Sequence, residues 1–188
     1  MPNWRRAFVP GGMFFFTVVT YQRRPVFEGE LARRLLGEAF RETRRRQPFQ
    51  VEAVVLLPDH MHTIWTLPRE DADFSRRWSW IKRTFTEKWL AAGGGEVSPT
   101  AAQAKDRRRG VWQRKYWEHV VRDVDELSAL IDYIHFNPVK HGYVECPKDW
   151  PSSSFSRWVK LGQYDPDWGC FHLRHELKMP ELGDITGE

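Results

Sequence analysis

The sequence predicts an α+β fold with helices packed mainly on one face of an antiparallel sheet, the layout of ferredoxin-like and RRM-like domains. Three observations lead to this prediction. Four segments are rich in the β-branched and aromatic residues that favour strands, and three segments repeat apolar residues every three or four positions, as amphipathic helices do. The segments follow one another as strand, helix, strand, strand, helix, strand, helix.

The first half of the chain supplies one strand, one helix and a hairpin. Residues 11–24 are rich in Phe, Val and Thr and predict a strand. Residues 30–47 have an apolar stripe with Arg and Glu on the opposite face, which predicts a helix that ends before a proline. Residues 49–57 and 60–67 predict two further strands, and the Pro-Asp turn between them indicates an antiparallel hairpin.

The second half repeats the alternation around an insertion. Residues 74–92 predict a helix, because aromatic and aliphatic residues recur at three- and four-residue steps. Residues 92–110 are rich in Gly, Ala and polar residues without apolar periodicity, which indicates a mobile insertion. Residues 111–122 predict a fourth strand, and residues 123–138 predict a third helix that ends at Pro138.

The domain organisation follows from these elements and from the chain length of 188 residues, which suits one core. We expect a single catalytic domain over residues 1–158 that includes the insertion. Residues 159–188 are expected to form a C-terminal tail.

The distribution of basic residues predicts a polyanionic partner. The net charge is only +4, but arginines occur in repeated doublets and triplets, and the chain has 10 Trp, 12 Phe and 5 Tyr. Aromatic residues interleaved with arginine are used to stack bases and follow phosphates in single-stranded nucleic acids. The alternative is that most of these aromatic residues are core and most arginines are solvated.

Other classes are disfavoured by the composition. No apolar run reaches the roughly 18–20 residues that a membrane helix needs, and no signal peptide is evident, so we expect a cytoplasmic protein without a membrane partner. The two cysteines, Cys146 and Cys170, form no C-x-x-C motif and do not suggest a disulfide framework.

The stretch LLPDHMHTIWTLP contains a His-x-His pair inside a predicted strand. Side chains alternate along a strand, so His60 and His62 face one side and Met61 the other. Burying two unpaired imidazoles would cost about 1–3 kcal/mol each, so the pair must be exposed or bonded. Imidazole suits Zn, Mn, Fe or Ni, although an exposed polar pair is the simpler reading of this motif alone.

The predicted third helix adds two candidate residues. Tyr133 and Asn137 are four positions apart and share a helix face, so a tyrosine nucleophile could lie one turn from a third metal ligand. By themselves the two residues are better explained as an ordinary half-buried tyrosine and an asparagine that ends a helix before a proline.

Several motifs together resemble one family. LLPDHMHTIWTLP, WQRKYWEHVVRD and DYIHFNPVKHGYV, in that order, resemble the REP-associated tyrosine transposases, and RRAFVPGGMFFFTVVTYQRR and DWPSSSF add to the likeness. These proteins are relatives of single-tyrosine insertion-sequence transposases, within the His-hydrophobe-His (HUH) superfamily of single-strand DNA endonucleases. The likeness runs to about residue 158; the Gly/Ala loop and the tail depart from it.

The resemblance implies a function and a set of site residues. It implies DNA cleavage and rejoining (transesterification) by a 5′-phosphotyrosine intermediate, with Tyr133 as nucleophile and His60, His62 and Asn137 as ligands of Mg²⁺ or Mn²⁺. The expected partner is single-stranded DNA folded as a palindromic hairpin. The protein is expected to act as a monomer rather than a homodimer and to associate with the bacterial nucleoid. No nucleotide cofactor is expected, because 3′-OH attack rejoins the DNA and no G-x-x-x-x-G-K-[ST] motif is present. The predicted DNA contacts are Arg5, Arg6, Arg23, Arg24, Arg114, Lys140 and His141.

Two other functions remain open from the sequence. One is a non-catalytic, structure-specific nucleic-acid-binding protein on the same fold, which would have no need of the two histidines and the tyrosine together. The other is a metal-dependent hydrolase of small phosphoesters, which would need more carboxylates near the histidines than Asp59.

Overall fold

The computed structural model describes residues 8–98, 101, 105 and 109–170. Within them a four-stranded antiparallel sheet is combined with four α-helices, and the sequence-predicted α+β class is confirmed. In chain order the elements are β1 (Met13–Val19), α1 (Glu30–Arg46), β2 (Gln50–Leu56), β3 (His60–Thr66), α2 (Phe74–Ala91), β4 (Trp117–Val120), α3 (Val124–Lys140) and α4 (Phe155–Lys160).

The sheet has the strand order β2-β3-β1-β4, and every neighbouring pair is antiparallel. β1 and β3 are therefore the two central strands, and their register pairs Thr17 with His62 and Val19 with His60. The predicted first strand is shorter than expected because the chain turns at Gln22 and Arg23, whose φ angles are 56° and 50°. A non-glycine residue with positive φ ends regular strand geometry.

One face of the sheet is covered by α1 and α2. Phe14 and Phe16 of β1 and Met61 and Trp65 of β3 pack in a core that also contains Trp78 of α2. Trp65 and Trp78 are 0% and 1% exposed, with ring centroids 4.3 Å apart, so both belong to the core and are not available to stack DNA bases.

The opposite face of the sheet is covered by α3. Two helices therefore pack on one face, as predicted, and a third packs on the other. Phe15 and Ile64 of the sheet pack against Leu130, Ile131 and Ile134 of α3. Because side chains alternate along β3, this is also the face to which His60 and His62 point. The third helix therefore brings its own residues directly to the histidine pair.

The end of α3 differs from the sequence prediction. The helix continues through Pro138 to Lys140, so the prediction that it ends at Pro138 was wrong. A proline has no backbone N–H and cannot donate the usual helical hydrogen bond. Because Pro138 lies in the last turn of α3, only this one hydrogen bond is lost before the helix ends. Gly142, with φ of 73°, then closes the helix with a bond from its N–H to the Val139 carbonyl, at 3.0 Å.

The edge strand β2 is covered by the segment that contains DWPSSSF. Trp150 donates its indole N–H to the Leu56 carbonyl at 3.0 Å, and Ser154 Oγ accepts the Val54 N–H at 2.9 Å. Trp158 of α4 donates to the Glu52 carbonyl at 3.0 Å. These contacts satisfy an edge that would otherwise be open to pairing with another strand.

The packed structure extends beyond residue 158. α4 runs to Lys160, Trp168 packs on Phe155 with ring centroids 6.0 Å apart, and Cys170 forms a disulfide with Cys146. The sequence did not suggest this disulfide, because the fold brings together two cysteines whose spacing carries no motif.

Two remaining expectations concern the insertion and the membrane. The described ends of the insertion pair through an isolated bridge between Val97 and Gly110 and through an ion pair between Arg109 and Glu96. Most of its interior lies outside the described residues. No described helix has the length and hydropathy needed to cross a membrane.

Candidate active site

The histidine pair lies buried at the start of the central strand β3. His60 and His62 are 1% and 0% exposed, and their ring centroids are 5.0 Å apart. Phe15 of β1 stacks on His62 with centroids 5.6 Å apart. The exposed idle pair that the motif alone allowed is therefore excluded.

Each imidazole is oriented by a hydrogen bond at its Nδ1. His60 Nδ1 lies 2.5 Å from Asp59 Oδ1, and His62 Nδ1 lies 2.9 Å from Thr17 Oγ1. Hydrogen bonds at Nδ1 fix the ring orientation, and Nε2 is the other nitrogen through which an imidazole can coordinate a cation. Bonds of this kind commonly support metal-binding histidines.

The charge on Asp59 is stabilised by its neighbours. Burial raises its pKa, but hydrogen bonds from His60 and from Arg23, the latter at 3.0 Å, outweigh burial and leave the pKa below its ordinary value. The carboxylate therefore stays ionised and supports the His60 ring.

Tyr133 of α3 packs directly on this pair. Its ring centroid is 5.2 Å from that of His62 and 6.2 Å from that of Phe15. The side chain is only 7% exposed, so its hydroxyl is held in a defined position beside the histidines.

Asn137 lies one turn further along the same helix face. Tyr133 contacts His62, and His141, at the end of the helix, contacts His60 with centroids 5.3 Å apart. Residues four apart share a helix face, so Asn137 sits between these two contacts and faces the pair.

Among the described residues the Asn137 amide has no hydrogen-bond partner, although its side chain is 0% exposed. Leaving both the amide oxygen and nitrogen buried and unpaired costs about 1–3 kcal/mol per group. Such an orphan group in a native protein indicates a missing ligand or a functional role. An amide oxygen beside two imidazoles is a donor set that fits a divalent cation such as Mn²⁺.

A carboxylate- or cysteine-rich metal site is absent from the described ranges. No group of three or more His, Cys, Asp or Glu residues there could hold an ion. The donor set above falls outside such a group because its third member is an amide.

The comparisons with known proteins identify the family of the chain. Residues 12–137 match the family model described as "Transposase IS200 like". A REP-associated tyrosine transposase of Escherichia coli strain K12 is 40% identical over 168 residues, which cover 89% of this chain and 91% of that protein. The chain belongs to this transposase family. It is an enzyme of the type that nicks and joins DNA.

Two further comparisons support the membership. A Haemophilus influenzae protein assigned to the REP-associated tyrosine transposases is 40% identical over 169 residues, covering 90% of this chain and 94% of that protein. The solved structure of a REP-associated tyrosine transposase bound to a REP hairpin is 37% identical, with a TM-score of 0.75, and the match covers 99% of this chain and 94% of that one.

Of the seven predicted DNA contacts of the transposase, three lie beside the site. Lys140 and His141 are exposed at the rim of the site. Arg23 forms an ion pair with Asp59, whose carboxylate contacts His60. Arg24 points instead to the insertion, with Nη1 3.5 Å from the Gly95 carbonyl. Arg114 is exposed in the segment that leads into β4. Arg5 and Arg6 lie outside the described residues.

Sequence reasoning missed the supporting residues of the transposase site. Thr17 holds His62, yet it precedes it by 45 residues and is recognisable only from the β1–β3 register. Ser154 Oγ lies 2.9 Å from Nε2 of His135, a buried residue two positions after Tyr133. This contact ties the covering segment of β2 to the helix that carries the predicted nucleophile.

Proposed function

We propose that this transposase cleaves and rejoins single-stranded DNA at palindromic hairpins, in a metal-dependent reaction through a 5′-phosphotyrosine on Tyr133. The observation that carries the proposal is the position of Tyr133 against His62 with the unpartnered Asn137 amide one turn away. A binding protein would gain nothing from a buried orphan amide beside two oriented imidazoles.

The chain's own residues account for the chemistry in order. A free phenol has a pKa near 10, so only about one molecule in a thousand is ionised at neutral pH, and the reaction depends on positioning and on an activated phosphate. Together, His60, His62 and Asn137 would hold Mg²⁺ or Mn²⁺, whose charge polarises a scissile phosphate.

The cleavage step exchanges one phosphodiester for another. The Tyr133 phenolic oxygen attacks the phosphorus, the bond from phosphorus to the 3′ oxygen breaks, and the phenol proton is balanced by the proton that the leaving 3′ oxygen takes up from solvent. Attack by a 3′-OH on the tyrosyl phosphodiester reverses these changes and joins DNA. No high-energy cofactor is needed because the bond energy is conserved.

The hairpin substrate is supported by the relative solved with a REP hairpin and by the basic rim of the site. We assign Arg23, Arg114 and His141 as phosphate contacts, since each is exposed on this chain. This assignment predicts that the affinity for DNA falls steeply as the salt concentration rises, which binding titrations at several salt concentrations measure.

The function is tested by incubating the protein with labelled single-stranded hairpins, taken from palindromes flanking its gene, in Mg²⁺ or Mn²⁺. A band that survives denaturing electrophoresis is expected for the wild type and is expected to disappear in Tyr133→Phe. Tyr143→Phe is the matched control, because Tyr143 is 45% exposed and loses the same hydroxyl.

Each outcome has a defined meaning. Retention of the band in Tyr133→Phe would show that another group attacks. A native complex without any covalent band in the wild type would favour the non-catalytic binding protein on the same fold.

A further inference from the structure

The continuation of α3 past Pro138 places a lysine on the proposed nucleophile. Lys140 is seven residues, close to two helical turns, after Tyr133, so both side chains lie on one helix face. If the helix ended at Pro138, as the sequence predicts, this juxtaposition would not be fixed. The Gly142 turn and the buried Pro138 hold the last turn in place.

The contact between the two side chains is direct. Lys140 Nζ lies 3.3 Å from Tyr133 Oη and donates a hydrogen bond to it. The same ammonium group lies 4.8 Å from the centre of the Tyr133 ring. The phenol is 7% exposed whereas Lys140 is exposed, so the ammonium reaches from the solvent side to the reacting oxygen.

We propose that Lys140 is a further catalytic residue of the strand-transfer reaction and not only a contact to the DNA backbone. The proposal rests on the proposed function of Tyr133. In the cleavage step the Tyr133 oxygen forms its bond to phosphorus while the bond to the 3′ oxygen breaks. The transition state has charge on the phenolic oxygen and on the non-bridging phosphate oxygens beside it.

A fixed cation at this position stabilises that charge. Preorganised donors aimed at developing charge contribute about 10²–10³-fold to rate in buried sites, and an exposed ammonium contributes less because water screens it. Lys140 acts on this charge through its own charge and its hydrogen bond, and the phenol proton still leaves to solvent. The joining step uses the same contact, because there the phenolic oxygen is the leaving group.

This role differs measurably from a general phosphate contact. A lysine that only binds the DNA backbone changes Kd and the salt dependence of binding, and its loss is overcome at saturating DNA. A lysine on the reacting oxygen changes the rate of the covalent step at saturation, in both directions.

The test compares Lys140→Met, which removes the charge but keeps most of the side chain, with Lys140→Arg, which keeps the charge. Lys160→Met is the matched control, since Lys160 is an exposed lysine at the end of α4. The measurements are DNA Kd, the single-turnover rate of covalent-complex formation at saturating hairpin DNA, and the rate at which isolated complex joins to an added 3′-OH strand. Thermal unfolding reports folding.

We expect Lys140→Met to slow both covalent steps by about 10- to 100-fold, with Kd changed by less than about 3-fold. Lys140→Arg should retain most of the rate, and Lys160→Met should match the wild type. A Lys140→Met variant that reaches the wild-type rate at saturation overturns the inference and leaves Tyr133 as proposed. Absence of covalent complex in the wild type itself overturns both.

Discussion

Replacing Asn137 by leucine is expected to stabilise the metal-free protein while removing its response to metal. The Asn137 side chain is 0% exposed, and neither amide atom has a hydrogen-bond partner in the part of the chain that the structure describes. Unpaired buried polar groups cost about 1–3 kcal/mol each, so removing them increases stability. Leucine is larger than asparagine, and the resulting overpacking offsets part of that increase. The expected net gain is about 1–3 kcal/mol in the free energy of unfolding, or about 2–4 °C in Tm for each kcal/mol.

The assay is thermal unfolding with and without Mn²⁺. A cation that binds only the folded state raises Tm in proportion to the logarithm of its concentration. We expect this rise in the wild type and its loss in Asn137→Leu, together with loss of covalent-complex formation. Asn137→Asp should behave in the opposite way, with a low Tm in chelator and a larger rise with Mn²⁺, because a buried carboxylate needs the cation more than an amide does.

His135→Leu is the control for this experiment. His135 is also buried on α3, and its Nδ1 also lacks a hydrogen-bond partner within the described ranges, but its Nε2 contacts Ser154 on the other side of the helix. This variant should keep the Mn²⁺ response. The reasoning is refuted if Asn137→Leu keeps the full Mn²⁺ response, or if it lowers the stability of the metal-free protein.

Three further predictions concern the structure that supports the site. Burial, with a smaller contribution from the charge of Arg157, lowers the pKa of His135 to about 3. The free energy of unfolding should therefore fall as pH falls from about 6.5 towards 3, by up to about 1.4 kcal/mol per pH unit more than in His135→Leu. Urea unfolding at a series of pH values measures this difference, and parallel profiles for the two proteins would contradict it. Ser154→Ala should cost about 2–4 kcal/mol in urea unfolding, because it leaves the His135 ring and a backbone N–H buried and unpaired; a loss below about 0.5 kcal/mol would be the contrary result. Reduction of the Cys146–Cys170 disulfide, whose sequence separation is 24, should lower stability by about 3.5 kcal/mol, and Cys146→Ser should then be insensitive to reductant; an unchanged Tm in dithiothreitol would refute it.

Local patterns predicted much of this molecule because the features concerned depend on local backbone geometry. The period of two along β3 places His60 and His62 on one face, and the structure confirms it. The helical period of α3 likewise places Leu130, Ile131 and Ile134 against the sheet. Both follow from side-chain direction along a single element.

Contacts between distant segments could not be predicted in the same way. The bond between Thr17 and His62 spans 45 residues, and the bond between Ser154 and the Val54 N–H spans 100. Each depends on strand register or on how a covering segment docks. The disulfide of Cys146 was missed for the same reason.

Pro138 does not end α3, although a proline often marks the end of a helix, because it lies within the last turn. A proline disfavours the helical conformation of the residue before it, but packing of Asn137 and Pro138 in the core outweighs that preference. The consequence is functional, since the additional turn carries Lys140 to the Tyr133 hydroxyl.

The most direct test of the whole account is to identify the residue that becomes linked to DNA. The tryptic peptide of residues 123–140 contains Tyr133 as its one tyrosine, out of five in the chain. Covalent complex formed with a hairpin oligonucleotide would be digested with nuclease and trypsin and analysed by tandem mass spectrometry. The account predicts a nucleotide attached through a 5′-phosphate to Tyr133. A nucleotide on any other residue, or attachment through a 3′-phosphate, would contradict it.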